Sequence, residues 1–115
     1  AAHLVSHSYG NEPQRRVRVL RNRDYVAHEL RGLGFEVIGD GTPIVPVVIG
    51  DDRRAGQMAD DLLARGLLAP CVRWPAVARG ESRIRITLTA AHERSHLDRL
   101  LEGFAAAGRR AGAIA

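Results

Sequence analysis

The chain has no lysine: all 17 basic residues among its 115 are arginine. No side chain can therefore form the lysine Schiff base that amine-and-carbonyl chemistry uses. A single cysteine, Cys71, excludes an internal disulfide and fits a reducing, cytoplasmic setting. Aromatic residues make up 4% of the chain, too few for a base-stacking platform. No apolar run approaches the roughly 20 residues of a membrane span. The opening AAHLVSHSYGNE has neither the basic start nor the apolar middle of a secretory leader. No glycine-rich phosphate loop is present, because GDGT at 39–42 reads as a turn.

The net charge of +4 raises nucleic-acid binding as a question. The arginines are spread along the chain, however, with 13 acidic residues between them. Such interleaving reads as a solvated surface and does not call for nucleic acid. The length suits one small domain with one core.

Residues 1–12 carry no periodicity and read as a flexible or partly helical lead-in. From Pro13, Val19, Val26, Leu30 and Leu33 recur near helical spacing, and Gly34 supplies the stop. FEVIGDGT is a short extended piece ending in a turn. PIVPVVIG is a strand with two apolar faces, which predicts a central strand covered on both sides. Pro46 within it removes a ladder donor and predicts a bulge or pairing gap there. DDRRAGQMADDLLARG is a helix capped by Asp51 or Asp52 and closed by Gly66, with Ala55, Met58, Ala59 and Leu62 as its buried stripe. LLAPCVR is a strand that leads into the loop WPAVARGE.

SRIRITLT is the clearest strand. Ile84, Ile86 and Leu88 point one way; Arg83, Arg85, Thr87 and Thr89 point the other. A last helix from about Arg94 to Gly108 carries Leu97, Leu100, Leu101 and Phe104 at core-facing spacing. Residues 109–115 read as a frayed tail. The order predicts one domain over 13–108. It is an α+β two-layer sandwich, with a small, mostly antiparallel sheet and helices packed on one face.

The stretch HERSH, His92 to His96, matches the HExxH zinc pattern. No third ligand follows at a fitting distance, Glu102 being the only near candidate, and His92 falls at the strand-to-helix junction. A junction residue and an exposed helical histidine account for the pair, so no metal ligand is assigned. Cys71, in a strand beside Val72, reads as a small hydrophobe rather than a nucleophile. No catalytic residue is assigned.

The arginine face is left with two readings. It is solvated, or it binds a carboxylate, which the planar guanidinium fork can hold through both oxygens.

Three segments bear on that choice: TPIVPVVIGDD, LLARGLLAPCVRWPAV and GESRIRITLTAAHERSHLDRLLEGF. Together they resemble the C-terminal part of the α-oxoamine synthases, fold-type I pyridoxal phosphate enzymes. The resemblance covers roughly residues 13–108 and is most specific at RIRITLTAAH and the helix after it. It implies an acyltransferase that condenses an amino acid with an acyl thioester, with decarboxylation and the cofactor as electron sink. It implies that Arg85 binds the amino-acid carboxylate. Arg83 matches a less constant arginine. Arg73 keeps its place in a loop near the acyl substrate, where Pro75 and Val77 also match and Trp74, Ala76 and Ala78 depart.

The resemblance further implies a large domain that carries the cofactor lysine and phosphate loop, and a homodimer for the full enzyme. This chain alone would then bind no cofactor and be inactive. Two alternatives stand beside it. One is an independent basic α+β module that meets RNA or a protein partner. The other is an oligomer built by edge-strand pairing.

Overall fold

Val26, Ala27 and Leu30 lie on one face of a helix and are buried, while Arg21 and Arg31 on either side of them face solvent. This is the pattern that docks a helix on a sheet. The computed structural model describes the backbone of residues 2–115 and the side chains of residues 13–115. Helix α1 runs Ala2–Leu33, β1 Glu36–Val37, β2 Ile44–Gly50, α2 Asp52–Ala64, β3 Cys71–Val72, β4 Ser82–Thr87 and α3 Arg94–Ala111. The strands form one sheet in the order β1-β2-β4-β3, and every pairing is antiparallel. Helices α1 and α2 pack on this sheet, and α3 packs against both of them. The chain is an α+β small domain with its helices on one face.

The core is a single cluster. Val45 and Val47 of β2 and Ile84 and Ile86 of β4 face Leu30 of α1, Met58 and Leu62 of α2, and Leu97 and Phe104 of α3. Each such side chain contributes about 1.5–3 kcal/mol when fully buried. Phe104 meets Phe35 edge to face at 5.9 Å. Polar ties fix the helices to the strands. Asp51 caps α2 by accepting the Arg54 N–H at 3.1 Å. The buried Ser82 hydroxyl donates to the Asp52 carboxylate, joining the start of β4 to the start of α2.

Four local expectations are corrected. Helix α1 does not start at Pro13 but passes through it from Ala2, so the lead-in at 2–12 is helical backbone. A proline removes one backbone hydrogen bond, which a long helix can absorb. The irregularity in β2 is not at Pro46 but between Val48 and Gly50. Pro46 pairs in register with Arg85, and its carbonyl accepts the Ile38 N–H at 3.2 Å. Its missing N–H therefore falls where β1 has just ended, and no ladder is interrupted. Strand β2 is central but not covered on both sides: Ile44 is 38% exposed, and Pro46 and Val48 are half-buried. All three helices lie on its other face.

The fourth correction concerns the tail, which does not fray from residue 109. Helix α3 continues to Ala111, Gly112 turns the chain with φ 78°, and the Ala113 N–H donates to the Gly108 carbonyl at 2.8 Å. Ile114 then packs against the core cluster. This closure depends on Gly108. A Cβ built there would lie 2.5 Å from Phe35 Cζ and 3.1 Å from Ile114 Cγ1. Gly108→Ala should therefore destabilise the chain by about 1–3 kcal/mol through overpacking, measured by urea unfolding.

Candidate functional site

Strand β4 builds the site by simple alternation. Ser82, Ile84 and Ile86 are buried under the helices, so Arg83, Arg85 and Thr87 must project from the opposite face. Cross-strand partners share that face. Ile44 lies opposite Thr87, Pro46 opposite Arg85, and Val48 opposite Arg83. On the far side Val72 lies opposite Arg83. The open face is therefore an apolar floor of β-branched residues and a proline, crossed by two guanidinium groups.

The two arginines are not equivalent. Arg83 turns back on its own strand. Its Nε and Nη2 each donate to the Glu81 carbonyl at 3.3 Å, and the Glu81 carboxylate lies 4.0 Å away. Arg85 is exposed, and among the described residues its side chain has neither a hydrogen-bond nor an ion-pair partner. Its backbone is fixed: its N–H donates to the Pro70 carbonyl at 3.0 Å. A cation on a rigid strand, with its fork unengaged, is arranged to receive a planar anion.

Arg73 is not brought onto this face. A Cβ on Gly56 would lie 3.1 Å from Arg73 Nη1, which places that guanidinium against α2. Arg79 stacks over the Trp74 ring at 4.3 Å, so the intervening loop is organised by its own contact. Cys71 is half-buried, and burial pushes its thiol above the usual range, partly offset by the Arg73 guanidinium. That shift opposes nucleophilic use at neutral pH.

The two histidines of HERSH accept backbone N–H groups. His92 Nδ1 accepts the Thr89 N–H at 3.0 Å, and His96 Nδ1 accepts the Glu93 N–H at 3.0 Å. His92 precedes the helix, and Glu93 is its N-cap. The two rings meet edge to face at 6.2 Å. Among the described residues no group of three metal-ligating side chains comes together. His96→Ala should cost about 1 kcal/mol by leaving the Glu93 N–H at the start of α3 without its acceptor, read from the shift in thermal midpoint.

Sequence reasoning missed four residues that hold the site in place. Arg23 is 2% exposed, and its Nη2 donates to the Gly39 carbonyl. Its neighbour on α1, Arg31, donates to the Val37 carbonyl at 3.0 Å, so two arginines pin β1 and the turn after it. Asn22 Nδ2 donates to the Thr89 and His92 carbonyls, both at 3.2 Å, and ties α1 to the turn that follows β4. Tyr25 ties α1 to α3. Its hydroxyl donates to Asp98 at 2.6 Å, and Arg94 lies over its ring at 3.7 Å. The Asp98 hydrogen bond pushes that phenol above its usual range. Asn22 was the one with a readable signal, a lone amide in a run of arginines.

Comparisons with known proteins agree with this picture. A family model described as aminotransferase class I and II matches residues 1–104. An 8-amino-7-oxononanoate synthase of Symbiobacterium thermophilum is 42% identical over 103 residues, which are 90% of this chain and 26% of that protein. A Thermus thermophilus protein named 8-amino-7-oxononanoate synthase/2-amino-3-ketobutyrate coenzyme A ligase is 40% identical over 90% of this chain and 26% of its own length. The serine palmitoyltransferase of Sphingomonas wittichii superposes with a TM-score of 0.81 and 27% identity, covering 86% of this chain and 25% of that one. The chain thus spans about a quarter of the length of the relatives it matches. No helix among the described residues is long and apolar enough to cross a membrane.

Proposed function

We propose that this chain, which belongs to the aminotransferase class I and II family, acts as the small domain of an α-oxoamine synthase and supplies the arginine that holds the amino-acid carboxylate. The observation that carries this reading is Arg85. It stands on a rigid strand, exposed and unpaired among the described residues, on the one sheet face that no helix covers. Arg83, already engaged with Glu81, is left a secondary part. Arg73, against α2 and off this face, would act on the second substrate.

The same face supports a missing wall. Ile44, Pro46, Val48 and Val72 form an apolar floor beside Arg85, and such a floor gains from being covered. The remaining three quarters of the relatives' length offers a cover. Covering also decides how strongly Arg85 binds. An exposed ion pair is worth about 0–1 kcal/mol. A hydrogen bond to a charged group in a desolvated site is worth about 1.5–3 kcal/mol. Arg85 is therefore weak in the isolated domain and strong only when a second surface closes over it.

Pyridoxal phosphate, implied for the whole enzyme by the resemblance, would supply an electron sink there. The residues of this chain do not fit that group by themselves. Its attachment needs a lysine amine, and the chain has none. What this chain would do is fix the carboxylate end of the substrate and so orient the bonds at its α-carbon. The matches bring no support to the alternative of an independent RNA- or protein-binding module.

Mixed with pyridoxal phosphate, the isolated chain should give only the absorbance of the free cofactor. A new saturable band would contradict the division of labour proposed here.

A further inference from the structure

Arginines in the body of the domain are mostly engaged. Arg23 and Arg31 donate to strand carbonyls, Arg65 and Arg110 pair with Asp61, and Arg79 and Arg94 stack on aromatic rings. One stretch of α1 differs. Arg15, Arg16, Arg18 and Arg21 stand within seven residues, with no carboxylate between Pro13 and Arg23. All four are exposed, and none has an ion-pair partner among the described residues. Four like charges on two turns of helix repel one another, which a chain tolerates better when an anion sits among them.

The stretch also has a concave side. A hollow of about 430 Å³ is lined by Gln14, Arg15 and Arg18 of α1 and by Ala90 and Ala91 of the turn after β4. Arg15 and Arg18 are one turn apart on the same edge of the helix. The two alanines leave the space between the elements open. The far wall is held firmly, because Asn22 of α1 grips the Thr89 and His92 carbonyls on either side of those alanines. Among the described residues the hollow is lined by two guanidinium groups, one amide and no carboxylate. That chemistry selects a compact polyanion, since guanidinium forks match phosphate oxygens in pairs.

We propose that Arg15 and Arg18, with Gln14, hold a phosphoryl group of a small anionic ligand in the hollow against Ala90 and Ala91. Arg16 and Arg21 raise the positive field around the entrance. The site is separate from Arg85 and needs nothing from the carboxylate reading.

The test uses the whole chain and inorganic pyrophosphate as the probe, followed by backbone amide shifts at low and moderate salt. Saturable shifts should centre on Ala90, Ala91 and the 14–18 turn of α1. The double variant Arg15→Gln with Arg18→Gln should weaken binding by about tenfold or more, as loss of two charge-assisted contacts requires. Arg109→Gln with Arg110→Gln removes the same charge at the far end of α3 and should change affinity by less than about twofold. Arg15→Lys with Arg18→Lys keeps the charge and loses the fork, and should fall between the two. Equal weakening by both glutamine pairs would overturn the proposal in favour of diffuse charge. So would the absence of shifts at Ala90 and Ala91. A single-stranded oligonucleotide that binds along 15–21 while pyrophosphate does not would replace the small ligand with nucleic acid.

Discussion

Arg85→Ala, made in the full-length enzyme, should lower kcat/KM for the amino-acid substrate by about two to three and a half orders of magnitude. The figure follows from the roughly 3–5 kcal/mol lost when one partner of a desolvated charge pair is removed. Nothing in the small domain can take over. Arg83 is held by Glu81, and Arg73 lies against α2. Arg85→Lys should recover only part of the loss, because an ammonium cannot engage both carboxylate oxygens with a fixed fork. In the isolated chain the same alanine change should move stability by no more than about 0.5 kcal/mol, since an exposed side chain without partners is removed. That contrast between a large kinetic effect and a negligible stability effect separates a binding role from a structural one.

Phe104→Ala should act in the opposite sense, on stability first. Phe104 is fully buried at the centre of the helical layer and meets Phe35 edge to face. Truncation of a buried phenylalanine costs about 3–5 kcal/mol. Small domains hold only about 5–15 kcal/mol in total, so the variant should be marginally folded at room temperature. Urea unfolding followed by circular dichroism gives the number. A loss below about 1 kcal/mol would mean that α3 is not the keystone that its packing on both other helices indicates.

What the sequence made legible was local and periodic. The alternation in SRIRITLT placed Ile84 and Ile86 inside and Arg83 and Arg85 outside, and the structure keeps that division. Of the predicted stripe Leu97, Leu100, Leu101 and Phe104, Leu100 is half-buried and the other three are buried. Asp51 caps α2, and Gly34 and Gly66 follow the ends of their helices with positive φ. Each of these signals is carried by neighbours within one turn or one strand.

The misses share a different origin. Pro46 predicted a gap because the end of β1 could not be read from β2 alone. The covered second face of β2 was predicted from composition, and composition cannot tell a helix layer from a wall supplied by other residues. Arg23 is charged, so its burial was invisible until the Gly39 carbonyl came within reach. Ile114 reads as part of a frayed tail because its neighbours, Gly34 and Gly108, are distant in sequence or depend on the turn at Gly112. The HERSH pattern lacks a third ligand in the sequence, but the role of both Nδ1 atoms as acceptors of backbone N–H groups is visible only in the geometry.

The most direct measurement is a pair of binding titrations on the cofactor-loaded full-length enzyme, with L-alanine and with ethylamine, which lacks only the carboxylate. Wild type and Arg85→Ala are compared with each probe. A carboxylate-binding Arg85 predicts that the variant loses about a hundredfold in affinity for alanine and is unchanged within about twofold for ethylamine. Equal losses for both probes, or no loss for alanine, would contradict it.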